Sequence, residues 1–125
     1  MSDNRRRVLK VGARRYLWKA YHQHLDGCEE VLRMREFGSV AGLTLVFRPG
    51  GERQVADGYP SASGDIWIGE RSLNLNEPGV VRAFLDAAVD AGWMAHTRTM
   101  GRRDGWELFD IAHTRHTGWA SRDLR

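Results

Sequence analysis

Residues 14–28 read RRYLWKAYHQHLDGC, and several kinds of chemistry can be built from that one stretch. The first is metal binding. On a strand, His22-x-His24 points both imidazoles to one side, about 6.6–7 Å apart, and imidazole nitrogen is a good zinc ligand. Cys28 follows four residues later and could come round the turn. His113 and His116 lie one helical turn apart, but they would join only if a C-terminal helix docked beside this strand. Nothing in the sequence calls for that docking, and no CxxC or HExxH spacing accompanies it. His22 and His24 are therefore read as rim residues of a sheet, the weak candidates for a metal, and no metal or cofactor is expected. Cys28 is read as structural, because Glu29 and Glu30 beside it disfavour a thiolate.

Nucleic-acid binding is the second chemistry. Tyr16, Trp18 and Tyr21 lie among Arg14, Arg15 and Lys19, the mixture that stacks on bases and pairs with phosphates. Strand alternation divides it. Tyr16 and Trp18 share a face with His22 and His24, while Lys19 and Tyr21 take the other. One face must cover the core, so these residues do not form a single platform. Arg5, Arg6, Arg7, Arg14 and Arg15 remain as non-specific phosphate contacts. The net charge is +3 and the pI about 9.5. The basic residues crowd into positions 1–19, where only Asp3 opposes them. Lys10 and Lys19 are the only lysines, a bias towards arginine that also follows from a GC-rich genome.

Catalysis finds less support. Glu29/Glu30 and Asp86/Asp90 are paired carboxylates, but the second pair, at i and i+4, reads as a solvated helix face. No GxSxG elbow surrounds Ser61, Ser63 or Ser72. The loops RPGGER and DGYPSASG lack the GK[ST] and following helix of a phosphate loop. A loop site of Asp57, Tyr59 and a histidine is the remaining enzymatic arrangement. Protein contact demands the least special chemistry. Tyr59 in the loop at 50–64 and Trp67 in a short edge hairpin are residue types that anchor interfaces, and an edge strand can pair with a partner or with a second copy.

These residues need elements to hold them. RVLKV (7–11), residues 15–24, 29–37 and LTLVF (43–47) read as four strands of an antiparallel meander; a helix is the alternative for 29–37, and the DG before it and FGSVAG after it favour the strand. DIWIG (65–69) and SLNLN (72–76) add two short strands. LNEPGVVRAFLDAAVDAGW carries the best-marked helix, at about 78–91. Asn76 is the expected N-cap, Pro78 sits in the first turn, Val81, Phe84, Leu85 and Ala88 make the apolar stripe, and Gly92 is the stop. DGWELFDIAHTRH predicts a shorter helical segment near 105–114, with a strand as the alternative. Asp104 is its N-cap, and Phe109, Ala112, Leu108 and Ile111 pack inward. The tail from Thr117 is expected to be loose.

The fold class is thus α+β: an antiparallel sheet of four to six strands, a main helix on one face and a shorter C-terminal helical segment. At 125 residues the chain makes one domain with a single core. Cys28, alone, excludes an internal disulfide and fits a reducing cytoplasm. No window of roughly 18 apolar residues occurs, so no membrane contact is expected.

RRYLWKAYHQH and LNLNEPGVVRAFLDAAVDAGW together resemble a group of small uncharacterised bacterial proteins from high-GC genomes. In these, an RxYLW strand comes early and an LN…P…V…L…A…GW segment makes strand, helix and stop. The resemblance covers roughly residues 5–110. It implies a framework role for Tyr16, Leu17, Trp18, Asn76, Pro78, Gly92 and Trp93, and carries no activity. The expected function is a small, non-catalytic cytoplasmic binding or adaptor module acting on an unknown protein partner or on itself. A nucleic-acid-binding accessory protein is the second reading and a small enzyme the third.

Overall fold

The computed structural model describes residues 7–24, 27–39, 42–56, 64–94 and 101–123, with side chains as far as 117. In chain order the elements are β1 (Arg7–Val11), β2 (Arg14–His24), β3 (Cys28–Glu36), β4 (Gly42–Phe47), β5 (Arg53–Val55), β6 (Asp65–Ile68), β7 (Arg71–Asn74), α1 (Pro78–Asp90), β8 (Gly101–Asp104), a 3-10 turn (Gly105–Leu108) and α2 (Phe109–Asp123).

The fold is α+β. β1 to β4 form the expected antiparallel meander, and β8 adds to β4 in parallel, giving a mixed sheet in the order β1-β2-β3-β4-β8. β5, β6 and β7 form a separate antiparallel sheet. Two strands had no clear sequence signal. β5 has three residues, and β8 reads GRRD, is fully exposed and has almost no β-propensity. Trp67, expected on an edge hairpin, lies on β6, the middle strand of the small sheet.

Alternation decides which face is buried. Tyr16 and Trp18 of β2, Leu32 and Met34 of β3, and Leu43, Leu45 and Phe47 of β4 belong to one face. They join Val81, Phe84 and Leu85 of α1, and Trp106, Phe109 and Ala112, in one core. Phe47 is at its centre, edge-on to Phe84 at 5.4 Å and to Trp106 at 5.3 Å. Each such fully buried side chain contributes about 1.5–3 kcal/mol.

α1 starts at Pro78, whose missing N–H costs nothing at a helix N-terminus. Its N-cap is Glu77 rather than Asn76. Glu77 has the extended backbone of a cap but makes no side-chain cap hydrogen bond. Asn76 is instead held by its neighbour, its N–H donating to Asn74 Oδ1 at 2.7 Å. The stop falls where expected. Gly92 takes φ +76°, and its N–H and that of Trp93 donate to Val89 O and Ala88 O, the paired bonds of a Schellman ending. The Asp104 carboxylate caps the 3-10 turn by accepting from Trp106 N–H at 3.0 Å. The helical segment is longer than the expected 105–114, and its last turns fall in the stretch from 117 that was expected to form a tail. Ile111, placed on the packing face from sequence, is 47% exposed; the inward face is Leu108, Phe109 and Ala112.

Candidate functional site

The face of the large sheet opposite the core cluster collects the basic side chains. None of the residues that alternation puts there belongs to that cluster, although Glu29, Val31, Thr44 and Val46 on it are buried beneath the longer side chains. Lys10 of β1 stands directly opposite Arg15 of β2, and Lys19 of β2 opposite Arg33 of β3. The second row continues from Arg33 to Thr44 of β4 and on to Arg102 of β8. Arg35 lies one row away, opposite Leu17. Among the described residues, no ion pair joins Lys10, Arg15, Lys19, Arg33 or Arg35 to a carboxylate. Aromatic rings sit among these charges. The Arg15 guanidinium lies 4.8 Å from the ring of Phe37, which is 56% exposed, and Lys19 Nζ lies 5.1 Å from the ring of Tyr21.

Carboxylates also enter this face, Glu29 from β3 and Asp104 at the end of β8. Glu29 is buried, accepts from Gln23 at 2.7 Å and from Arg48, and lies 3.7 Å from Arg102. Burial raises the pKa of its carboxyl. The Gln23 hydrogen bond and the two guanidinium groups outweigh that and hold it below the ordinary value. At the β8 edge the face opens into a cavity of about 560 Å³ lined by Arg48, Arg53, Arg102, Arg103 and Trp106 among others. Trp106 is fixed there by its indole N–H, which donates to Arg48 O at 2.8 Å.

A second cluster lies at one end of β2 and β3, on the core-facing side. The register pairs His22 with Glu30 and His24 with Cys28. Cys28 Sγ is 3.5 Å from His24 Nδ1, His24 Nε2 is 3.0 Å from His22 Nε2, and His22 Nδ1 is 2.7 Å from Glu30 Oε1. The contacts run without a break from the thiol to a carboxyl with 0% exposure. Among the described residues, Glu30 Oε2 is buried without a hydrogen-bond partner. Burial pushes the Glu30 carboxyl pKa above the ordinary value and nearby Asp65 adds to the rise, while the His22 ring and the Gly64 backbone amide oppose it.

The sequence-predicted residues divide accordingly. His22 and His24 do meet, and Cys28 joins them. His113 and His116 stay apart from that cluster: His113 stacks on Phe109 and His116 lies 3.9 Å from Glu77. Arg15 belongs to the basic face. Arg7 donates to Asn76 O at 2.9 Å and covers the Trp18 ring, and Arg14 pairs with Glu36 at 3.4 Å. Trp67 is half-buried in β6. Arg5, Arg6 and Tyr59 lie outside the described residues. Arg33 and Arg35 were missed as site residues. Their signal was the two-residue period of LRMRE (32–36), which puts both arginines on the Lys19 face once β2 and β3 pair.

No helix among the described residues is long and apolar enough to cross a membrane. No family model, curated protein or solved structure matches the chain.

Proposed function

We propose that this protein is a non-catalytic binding module whose basic sheet face takes single-stranded nucleic acid. The observation that carries the reading is the placement of Lys19 directly opposite Arg33, with Arg102 in the same row and, among the described residues, no carboxylate paired to either Lys19 or Arg33. Like charges directly opposite on paired strands cost stability. A polyanion lying across the row would turn that cost into binding energy by releasing counterions. Phe37 and Tyr21, beside Arg15 and Lys19, supply flat rings on which unpaired bases can stack. This adopts the nucleic-acid reading of the sequence but moves its centre from the N-terminal arginines to β2 and β3.

A protein partner, the leading expectation from sequence, has weaker support. Among the described residues, the exposed large apolar side chains Val8, Phe37, Val89 and Ile111 are spread over β1, the β3 end and both helices and build no single apolar patch. A cytoplasmic location agrees with a nucleic-acid ligand and a free Cys28. The resemblance to small bacterial proteins, kept as part of this proposal, adds a framework and no activity.

The test is fluorescence anisotropy with a labelled single-stranded oligonucleotide over a salt series. Binding should weaken steeply between about 50 and 200 mM salt. Changing Arg33 and Arg35 together to Gln removes two phosphate contacts. That should lower the slope of log K against log salt by about 1.4 for a single strand. Arg82→Gln, on α1, should leave binding unchanged. No binding at the lowest salt, or equal binding by the double variant, would overturn the reading.

A further inference from the structure

We propose that His22, His24 and Cys28 form a Zn²⁺ site at the β2–β3 end, with Glu30 holding His22 from behind and the fourth coordination position open to solvent. The proposal stands apart from the nucleic-acid reading, because these side chains are on the opposite face of the sheet.

Pairing brings the three together. His22 and His24 share a face of β2, and Cys28 stands opposite His24 on that same face. One donor atom from each lies within 4.8 Å of the others. Two nitrogens held tetrahedrally about 2.0–2.1 Å from zinc lie roughly 3.3 Å apart, and a nitrogen and a sulfur about 3.6 Å apart. The two Nε2 atoms are already 3.0 Å apart. Cys28 Sγ lies against His24 Nδ1, so closing the triangle on the two Nε2 atoms takes a turn of the His24 ring and of the thiol at the strand ends. Half-buried His22 and Cys28 with exposed His24 leave one side to water.

Two features distinguish this cluster from histidines that happen to be close. The first is the carboxylate behind it. A metal-bound histidine usually donates its other ring N–H to a carboxylate or carbonyl, which fixes the tautomer and aims the ligating nitrogen. Glu30, fully buried, occupies that position at 2.7 Å from His22 Nδ1; in the tautomer with its proton on Nδ1, His22 presents the Nε2 lone pair to the cluster. The second is donor chemistry. Two imidazoles and a thiol suit a borderline-soft ion of tetrahedral preference, whereas Mg²⁺ and Ca²⁺ want oxygen. Binding exchanges the Cys28 thiol proton for the metal: one S–H bond is lost, one Zn–S bond forms, and the proton passes to solvent.

The probes are Zn²⁺ and Co²⁺ added to the full chain free of any histidine tag. One equivalent of Zn²⁺ should bind in competition with a chromophoric chelator. One equivalent of Co²⁺ should give intense tetrahedral d–d bands and a thiolate charge-transfer band, and Zn²⁺ should abolish both. Cys28→Ser should remove the charge-transfer band and His24→Ala should remove stoichiometric binding. Glu30→Gln should keep the spectrum but weaken affinity roughly 10–100-fold. Circular dichroism would establish that each variant folds. If a folded Cys28→Ser binds cobalt with an unchanged spectrum, the metal sits elsewhere and the proposal fails. It fails equally if the wild-type chain gives only weak octahedral bands, or if Glu30→Gln binds zinc as tightly as the wild type.

Discussion

Lys19 and Arg33 face each other across β2 and β3, two cations directly opposite in one antiparallel register. No carboxylate pairs with either among the described residues. The β2–β3 register, which sets both half-buried side chains on the face away from the core cluster, is what brings the two charges together.

Arg33→Glu converts that opposition into an attractive pair. It should raise stability by about 0.2–1 kcal/mol, read as a higher urea midpoint at unchanged slope. The same variant should bind oligonucleotide worse. Salt screens the repulsion, so added salt should raise the wild-type midpoint and lower that of the variant. A midpoint that falls in low salt would mean that the aliphatic stem of Arg33, rather than its charge, dominates at this position.

Gly105 is where the chain leaves β8 and turns back over the core. A Cβ there would lie 2.3 Å from the tip of the buried Phe47 ring, which is already edge-on to Phe84 and Trp106. Gly105→Ala should therefore cost about 1–3 kcal/mol, the range for overpacking a filled core. Phe47→Leu made in the same chain should recover part of the loss. If the single variant melts like the wild type, the 3-10 turn can shift away from β4 without cost.

Trp18 is 2% exposed at the centre of β2. Met34 is its partner on β3, and the Arg7 guanidinium lies 5.2 Å from its ring. Trp18→Ala should cost about 3–5 kcal/mol, as truncations of large core side chains do. Chemical denaturation checks this: a midpoint that hardly moves would place Trp18 on a surface. Trp18→Phe should lose far less, since most of the buried area remains.

The meander was legible because its strands carry strong patterns. RRYLWKAYHQH alternates cleanly, and its aromatic face became the core side. α1 was legible from its stripe and its glycine stop. The N-cap was assigned one residue early because Asn is the better capping residue, but the asparagines are occupied elsewhere: Asn74 donates to Asp65 and accepts from Asn76 N–H. β8 was hidden because GRRD is exposed and owes its strand conformation to pairing with β4, a tertiary effect. The basic face was only half legible. Periodicity assigned Lys19 to one side, but the arginines beside it come from β3 and β8, and only the register unites them. For the histidine cluster the spacing was visible, but the buried carboxyl of Glu30 was not.

His113 sets the last expectation, on pH. It stacks on Phe109 with ring centroids 5.9 Å apart. Burial lowers its pKa, and the charges of Arg71 from β7 and of His116 on its own helix lower it further, with Asp110 opposing. The folded state thus binds a proton at His113 less readily than the unfolded chain, whose histidines titrate near about 6.5. A group depressed on folding gives stability that is fully present above the unfolded pKa and is lost as pH falls through the folded one. His113 should accordingly make the protein less stable at about pH 5 than at about pH 7.5. His113→Phe keeps an aromatic ring over Phe109 and removes the titration. Urea unfolding of both proteins at the two pH values isolates the effect, because every other ionisable group is common to the two. The variant should lose a smaller part of its stability on acidification. Equal losses would show that the proton on His113 is tolerated, with Asp110 compensating for Arg71.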